Sequence, residues 1–88
     1  MDRAAKPIYL TWHAEQWLRA RGTTLDEIVD AIRTADWAPA DHGRLHCRKN
    51  YPHEAFRDGV YYDTKQVRPI FVDEAHEIVV ITVYTYFF

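Results

Sequence analysis

The chain has a single cysteine, Cys47, which excludes an intramolecular disulfide and fits a reducing compartment. It also has no long apolar run. Its most hydrophobic stretch, Ile78 to Val83 and on to Phe88, is too short for a membrane helix and is interrupted by Thr82 and Thr85. The opening residues Met1 to Pro7 carry charge with no apolar segment behind it, so no signal peptide is expected. These absences predict a cytoplasmic protein with no membrane partner. Charge of one sign is lacking as well: 11 basic residues face 13 acidic ones, for a net charge of −2. A general nucleic-acid binder shows a basic excess, so any RNA contact must come from a local patch. With no linker, repeat or low-complexity segment, residues 1–88 are expected to form a single domain around one core.

Apolar residues are plentiful, at 48% of the chain, and aromatic residues make up 15%. That composition excludes disorder and lets a short chain bury large rings where area is scarce. The expected fold class is α+β: a short N-terminal strand, two helices, then an antiparallel sheet of three to four strands.

Ile8-Tyr9-Leu10 is a short β-prone run after Pro7. Thr11 is a candidate N-cap for a first helix from Trp12 to about Arg21, with Gly22 as its left-handed terminator and Arg19 and Arg21 at the negative end of its dipole. Thr24-Leu25-Asp26-Glu27 is a capping box. Leu25, Ile28, Val29, Ile32 and Ala35 then recur at helical spacing, predicting a second helix to about Asp36. Residues 45–49 suggest a strand, and Asn50-Tyr51-Pro52 and Asp58-Gly59 are turn signals.

Residues 65–72 and 77–87 read as two strands joined by Asp73 to His76. A four-residue loop there predicts a pairing in which partner numbers sum to 149. Lys65 then lies opposite Tyr84, Val67 opposite Thr82 and Phe71 opposite Ile78, all on one face. The last strand is apolar on both faces, as a covered strand is. Two ten-residue helices cover only one face. The other, carrying Lys65, Thr82, Tyr84 and Tyr86, is expected to be a working surface or a partner interface.

His13 falls in the first turn of helix one, where free N–H groups attract anions and an imidazole titrates near neutrality. A capping histidine is the plainer reading. Lys65 beside Tyr84 places a cation and a phenol together, a pair suited to holding phosphate, or equally a lysine lying over a ring. His42, His46, Cys47 and His53 follow no zinc spacing, so no metal or other cofactor is expected. Asp73-Glu74-Ala75-His76 spells a helicase motif, but with no phosphate-binding glycine loop in the chain it is a turn.

His13-Ala14, Arg21-Gly22, the 24–32 helix, Lys65-Gln66-Val67 and Ile78 to Tyr84 together resemble a family of small bacterial domains related to the RelE, ParE and BrnT toxins. The resemblance covers residues 8–88, and Trp17 stands where that pattern carries an arginine. It implies a RelE-like fold and metal-independent RNA cleavage, in which a ribose 2′-hydroxyl attacks the adjacent phosphate and leaves a cyclic phosphate. Carried over, it makes His13 a general base or acid, Lys65 the phosphate stabiliser and Arg21 a second cation. Tyr84 becomes an acid or stacking platform, and Thr82 an orienting hydroxyl. RNA and an antitoxin protein are the implied partners. The alternative is a non-catalytic interaction module, a homodimer or partner-binding domain, suggested by the near-neutral charge, Trp17 and the apolar 84–88 tail. A metal or small-ligand sensor using the 42–53 histidines is a third, weaker option.

Overall fold

A computed structural model describes residues 6–88; the charged opening, expected not to be a signal peptide, falls mostly outside them. The chain is α+β. Strand β1 (Ile8–Leu10) leads into helices α1 (Trp12–Arg21) and α2 (Leu25–Thr34), then β2 (Ala38–Pro39), a 3-10 turn (Asp41–Gly43), β3 (Leu45–His46), β4 (Lys49–Arg57), β5 (Val60–Asp73) and β6 (Ile78–Phe87). The antiparallel part of the sheet therefore has five strands, β2 to β6, rather than three or four, and β1 brings the sheet to six. Two of the additional ones are two-residue pairings that carry no periodicity to read. β1 adds to β6 in parallel, and all other pairings are antiparallel.

Local chemistry explains the helix ends. The Thr11 hydroxyl accepts from the Ala14 N–H and so starts α1. Gly22, at φ 71°, ends it in the left-handed region. In α2, the Thr24 hydroxyl accepts from the Glu27 N–H while the Glu27 carboxylate accepts from the Thr24 N–H. Ile28, Ala31 and Ile32 of α2 and Ala14 of α1 pack onto Val67, Phe71, Ile78, Val80 and Val83 of the sheet. Both helices thus cover one face.

The Asn50-Tyr51-Pro52 turn signal is overturned. These residues lie inside β4, where Pro52 is tolerated because β4 is an edge strand bonded only to β5. Asp58 and Gly59, both at positive φ, make the hairpin turn.

The β5–β6 register also differs from expectation. The loop is Glu74 to Glu77, so Asp73 pairs with Ile78 and Phe71 with Val80. That slip of two keeps the same residues together on a face, but Val67, Phe71 and Ile78, expected on the open face with Lys65, lie on the one the helices cover. A β-bulge then intervenes: Ile70 pairs with Thr82, leaving Ile81 without a partner residue. Beyond it Arg68 faces Tyr84 and Lys65 faces Phe87. One extra residue flips the relation between the strands. The Ile81 carbonyl accepts from the Thr11 hydroxyl and the Val80 carbonyl from the Thr11 N–H, so the cap of α1 also secures the bulge.

Candidate functional site on the open sheet face

The bulge separates two residues expected to meet. Lys65 lies beneath the helices, its side chain only 12% exposed, 2.8 Å from the Glu27 carboxylate and 2.9 Å from the Gly22 carbonyl. It ties the end of α1 to the start of α2. Tyr84 is 37% exposed and Tyr86 41% exposed. Together with Thr82 they share the uncovered face with Gln66, Arg68 and Ile70 of β5.

Arg21 reaches this face from the end of α1. Its guanidinium lies 4.6 Å from the Trp17 ring centre and 4.8 Å from that of Tyr84, so it is held between two aromatic rings. Its Nε is buried without a hydrogen-bond partner. The Thr85 hydroxyl donates to the Arg21 carbonyl. His13 stands edge-on to Trp17 at 6.0 Å. His13, Trp17 and Arg21 are spaced four apart and so line one stripe of α1. The tryptophan at position 17 is thus the ring that holds Arg21. Of the five expected site residues, the structure brings Arg21, Tyr84 and Thr82 to one surface. His13 lies further along the stripe, and Lys65 is on the opposite face.

Arg68 extends the strip across β5. Its guanidinium is 5.8 Å from the Tyr84 ring centre, Nε donates to His46 Nδ1 at 3.1 Å, and one terminal nitrogen is 3.4 Å from the Tyr86 hydroxyl. That bond requires His46 Nδ1 to be unprotonated. Burial first, then the nearby charges of Arg68 and Arg48, hold the His46 pKa below its ordinary value. His46 is therefore a neutral imidazole at pH 7. Among the described residues Arg68 has no carboxylate partner, whereas Lys6, Lys49 and Lys65 pair with Asp73, Asp30 and Glu27.

Beside Arg68 opens a cleft of about 290 Å³. Arg68, Ile70, Thr82 and Tyr84 form its sheet side; Ala40, Asp41, His42 and Arg44 close it from the 3-10 turn. Arg68 and Arg44 carry no site role in the sequence reading, and His46 enters it only among the 42–53 histidines of the sensor option. The available signal was the alternation Gln66, Arg68, Ile70, whose facing partners depend on the bulge.

Among the described residues no three His, Cys, Asp or Glu side chains are grouped to hold a metal ion. His46 lies on the open face, Cys47 is buried in the core, and His53 packs against Phe87 at 4.9 Å. No described helix is long and apolar enough to cross a membrane. Compared with family models, curated proteins and solved structures, the chain has no significant match.

Proposed function

We propose that this chain is a toxin-like, RelE-type RNA endonuclease domain that works without metal, recognises single-stranded RNA on its open sheet face and is restrained by an antitoxin. The observation that supports this most is the alternating stack of Trp17, Arg21, Tyr84 and Arg68. Rings interleaved with unpaired guanidiniums offer stacking to bases and charge to phosphates without reading sequence, at about 1–3 kcal/mol per stacked base. The strip supplies the local patch that a chain of net charge −2 otherwise lacks.

In this reading Arg68 takes the phosphate-stabilising part expected of Lys65, whose ammonium is committed to Glu27 and Gly22. Arg21 is the second cation and Thr82 the orienting hydroxyl. His13 keeps the general-base part that the resemblance gives it and accepts the proton of the attacking 2′-hydroxyl; His46, whose Nδ1 lone pair is taken by Arg68 Nε, positions Arg68. The P–O5′ bond breaks as the 2′-oxygen bonds to phosphorus, and the departing 5′-oxygen takes a proton from the Tyr84 phenol. The products are a 2′,3′-cyclic phosphate and a 5′-hydroxyl.

Incubation of the purified protein with single-stranded RNA in EDTA tests this. The expected result is cyclic-phosphate ends, reduced at least about a hundredfold by Arg68→Gln, as general acid–base and electrostatic contributions of this kind warrant. Absence of cleavage by the wild type, or equal cleavage by the variant, overturns the enzyme reading.

A second reading, a partner-binding module, draws on the β4–β5 hairpin tip. There Phe56, Val60 and Tyr61 are exposed, and Phe56 packs edge-on to Tyr61 at 5.5 Å. Exposed apolar groups of this kind mark interaction sites. Light scattering that shows a dimer abolished by Phe56→Ser supports it; a monomer at all concentrations removes the homodimer.

A further inference from the structure

The cleft beside Arg68 has features that the stacking strip does not account for. Two arginines, Arg68 and Arg44, line it; both residues are half-buried, and neither has a carboxylate partner among the described residues. Partly desolvated cations without counter-charge are unfavourable, and an anion placed between them relieves the cost. Asp41 also lines the cleft, so its ionised groups are two positive against one negative, with His42 beside them.

The two walls are held in place. Arg68 is fixed by its bonds from Nε to His46 Nδ1 and from one terminal nitrogen to the Tyr86 hydroxyl, which leaves its other terminal nitrogen to meet a ligand. The turn carrying Arg44 is closed by the Ala40 N–H donating to the Arg44 carbonyl at 2.8 Å and the Arg44 N–H donating to the Asp41 carbonyl at 3.3 Å. Within it His42 sits at φ 61°, a left-handed conformation uncommon for a residue with a Cβ. Held strain of this kind clusters at ligand clamps. The space is about 290 Å³. A phosphate with its ribose fits such a volume. Tyr84, 37% exposed, and Thr82 line the same space.

We infer that this cleft is a nucleoside-monophosphate subsite, with the phosphate held between Arg44 and Arg68 and the base against Tyr84. As a description of the biological ligand it rests on the nucleic-acid reading of the open face, and it adds Arg44 as a phosphate-binding residue. His46 is a positioning residue for binding, since it acts through Arg68.

Titration of the ¹⁵N-labelled protein with adenosine 3′-monophosphate, followed at the arginine Nε–Hε resonances, is the test. Saturable shifts of the Arg44 and Arg68 signals are expected. Adenosine, which lacks the phosphate, and chloride at matched ionic strength should leave them in place. Arg44→Gln should weaken binding at least about tenfold, the loss of one charged contact, with the thermal midpoint unchanged. Shifts produced equally by chloride or by adenosine, or full affinity in Arg44→Gln, overturn the subsite. RNA cleavage that persists without nucleotide binding sinks the subsite and leaves the nuclease reading. Nucleotide binding without RNA cleavage does the reverse.

Discussion

Lys65→Met keeps the apolar stem of the side chain and removes only the ammonium, so it separates a structural lysine from a catalytic one. In the fold that ammonium lies 2.8 Å from Glu27 Oε1 and 2.9 Å from the Gly22 carbonyl, with side-chain exposures of 12% and 20% for the pair. Breaking a fully buried pair costs about 3–5 kcal/mol. Glu27 here keeps two other donors, the Thr23 hydroxyl at 3.1 Å and the Thr24 N–H at 3.2 Å, and retains some solvent. The loss should therefore be lower, about 2–3 kcal/mol, part of it from the orphaned Gly22 carbonyl. For a domain of this size each kcal/mol lowers the midpoint by about 4–8 °C, so a drop of roughly 8–24 °C is expected by circular dichroism. RNA affinity and cleavage, measured well below that midpoint, should stay within about twofold of wild type, because the group is on the far side of the sheet. Glu27→Gln in the Lys65→Met background should cost less than in the wild type, as coupled partners do. An unchanged midpoint with lost cleavage would refute the reasoning and restore Lys65 to the site.

Other variants probe the remaining parts. Arg21→Gln should weaken single-stranded RNA binding about 5- to 100-fold and flatten the salt dependence of log K by about 0.7, readable by fluorescence anisotropy across a salt series. Gly22→Ala forces a Cβ into the left-handed region, 2.8 Å from an Arg57 terminal nitrogen and 3.2 Å from the Phe87 ring, and should cost about 1–3 kcal/mol in urea unfolding. The depressed His46 pKa gives a signed pH effect. Below the ordinary value of 6.5 the unfolded chain protonates first, so this contribution to stability is complete above that pH and declines as pH falls toward the folded value. His46→Gln should therefore lose less stability than wild type between pH 7 and 5 in parallel thermal melts. Thr24→Ala, which removes half the capping box, should cost about 1 kcal/mol with RNA binding intact.

The helices were legible because their signals are local. Thr11, Gly22 and the Thr24–Glu27 box act within a turn, and both caps appear in the fold as those residues require. That one sheet face stays uncovered also followed from the sequence, but Tyr84 and Tyr86 reach it only through the bulge, since Lys65, Val67, Phe71 and Ile78, expected beside them, lie under the helices. The pairing of that face did not. A hairpin loop shifted by one at each end is harmless to facing, but the unpaired residue at Ile81 is not. Nothing in the apolar run Ile78 to Val83 marks one residue as extra. Its cause is tertiary: Thr11 bonds to the carbonyls of Val80 and Ile81 from the start of α1. The same bulge exchanged Lys65 for Arg68 as the cation beside Tyr84. The short strands β2 and β3 place His46 and Arg44, and two-residue pairings have no pattern to recognise.

The most direct test of the open-face assignment is the amide map of the ¹⁵N-labelled protein bound to a single-stranded RNA with methylated 2′-hydroxyls, which binds but is not cut. Shifts centred on Arg21, Gln66, Arg68, Thr82, Tyr84 and Tyr86 are predicted, with the helix-covered face and the hairpin tip silent. Shifts centred instead on residues 56–61, or no saturable shift at any site, would contradict it.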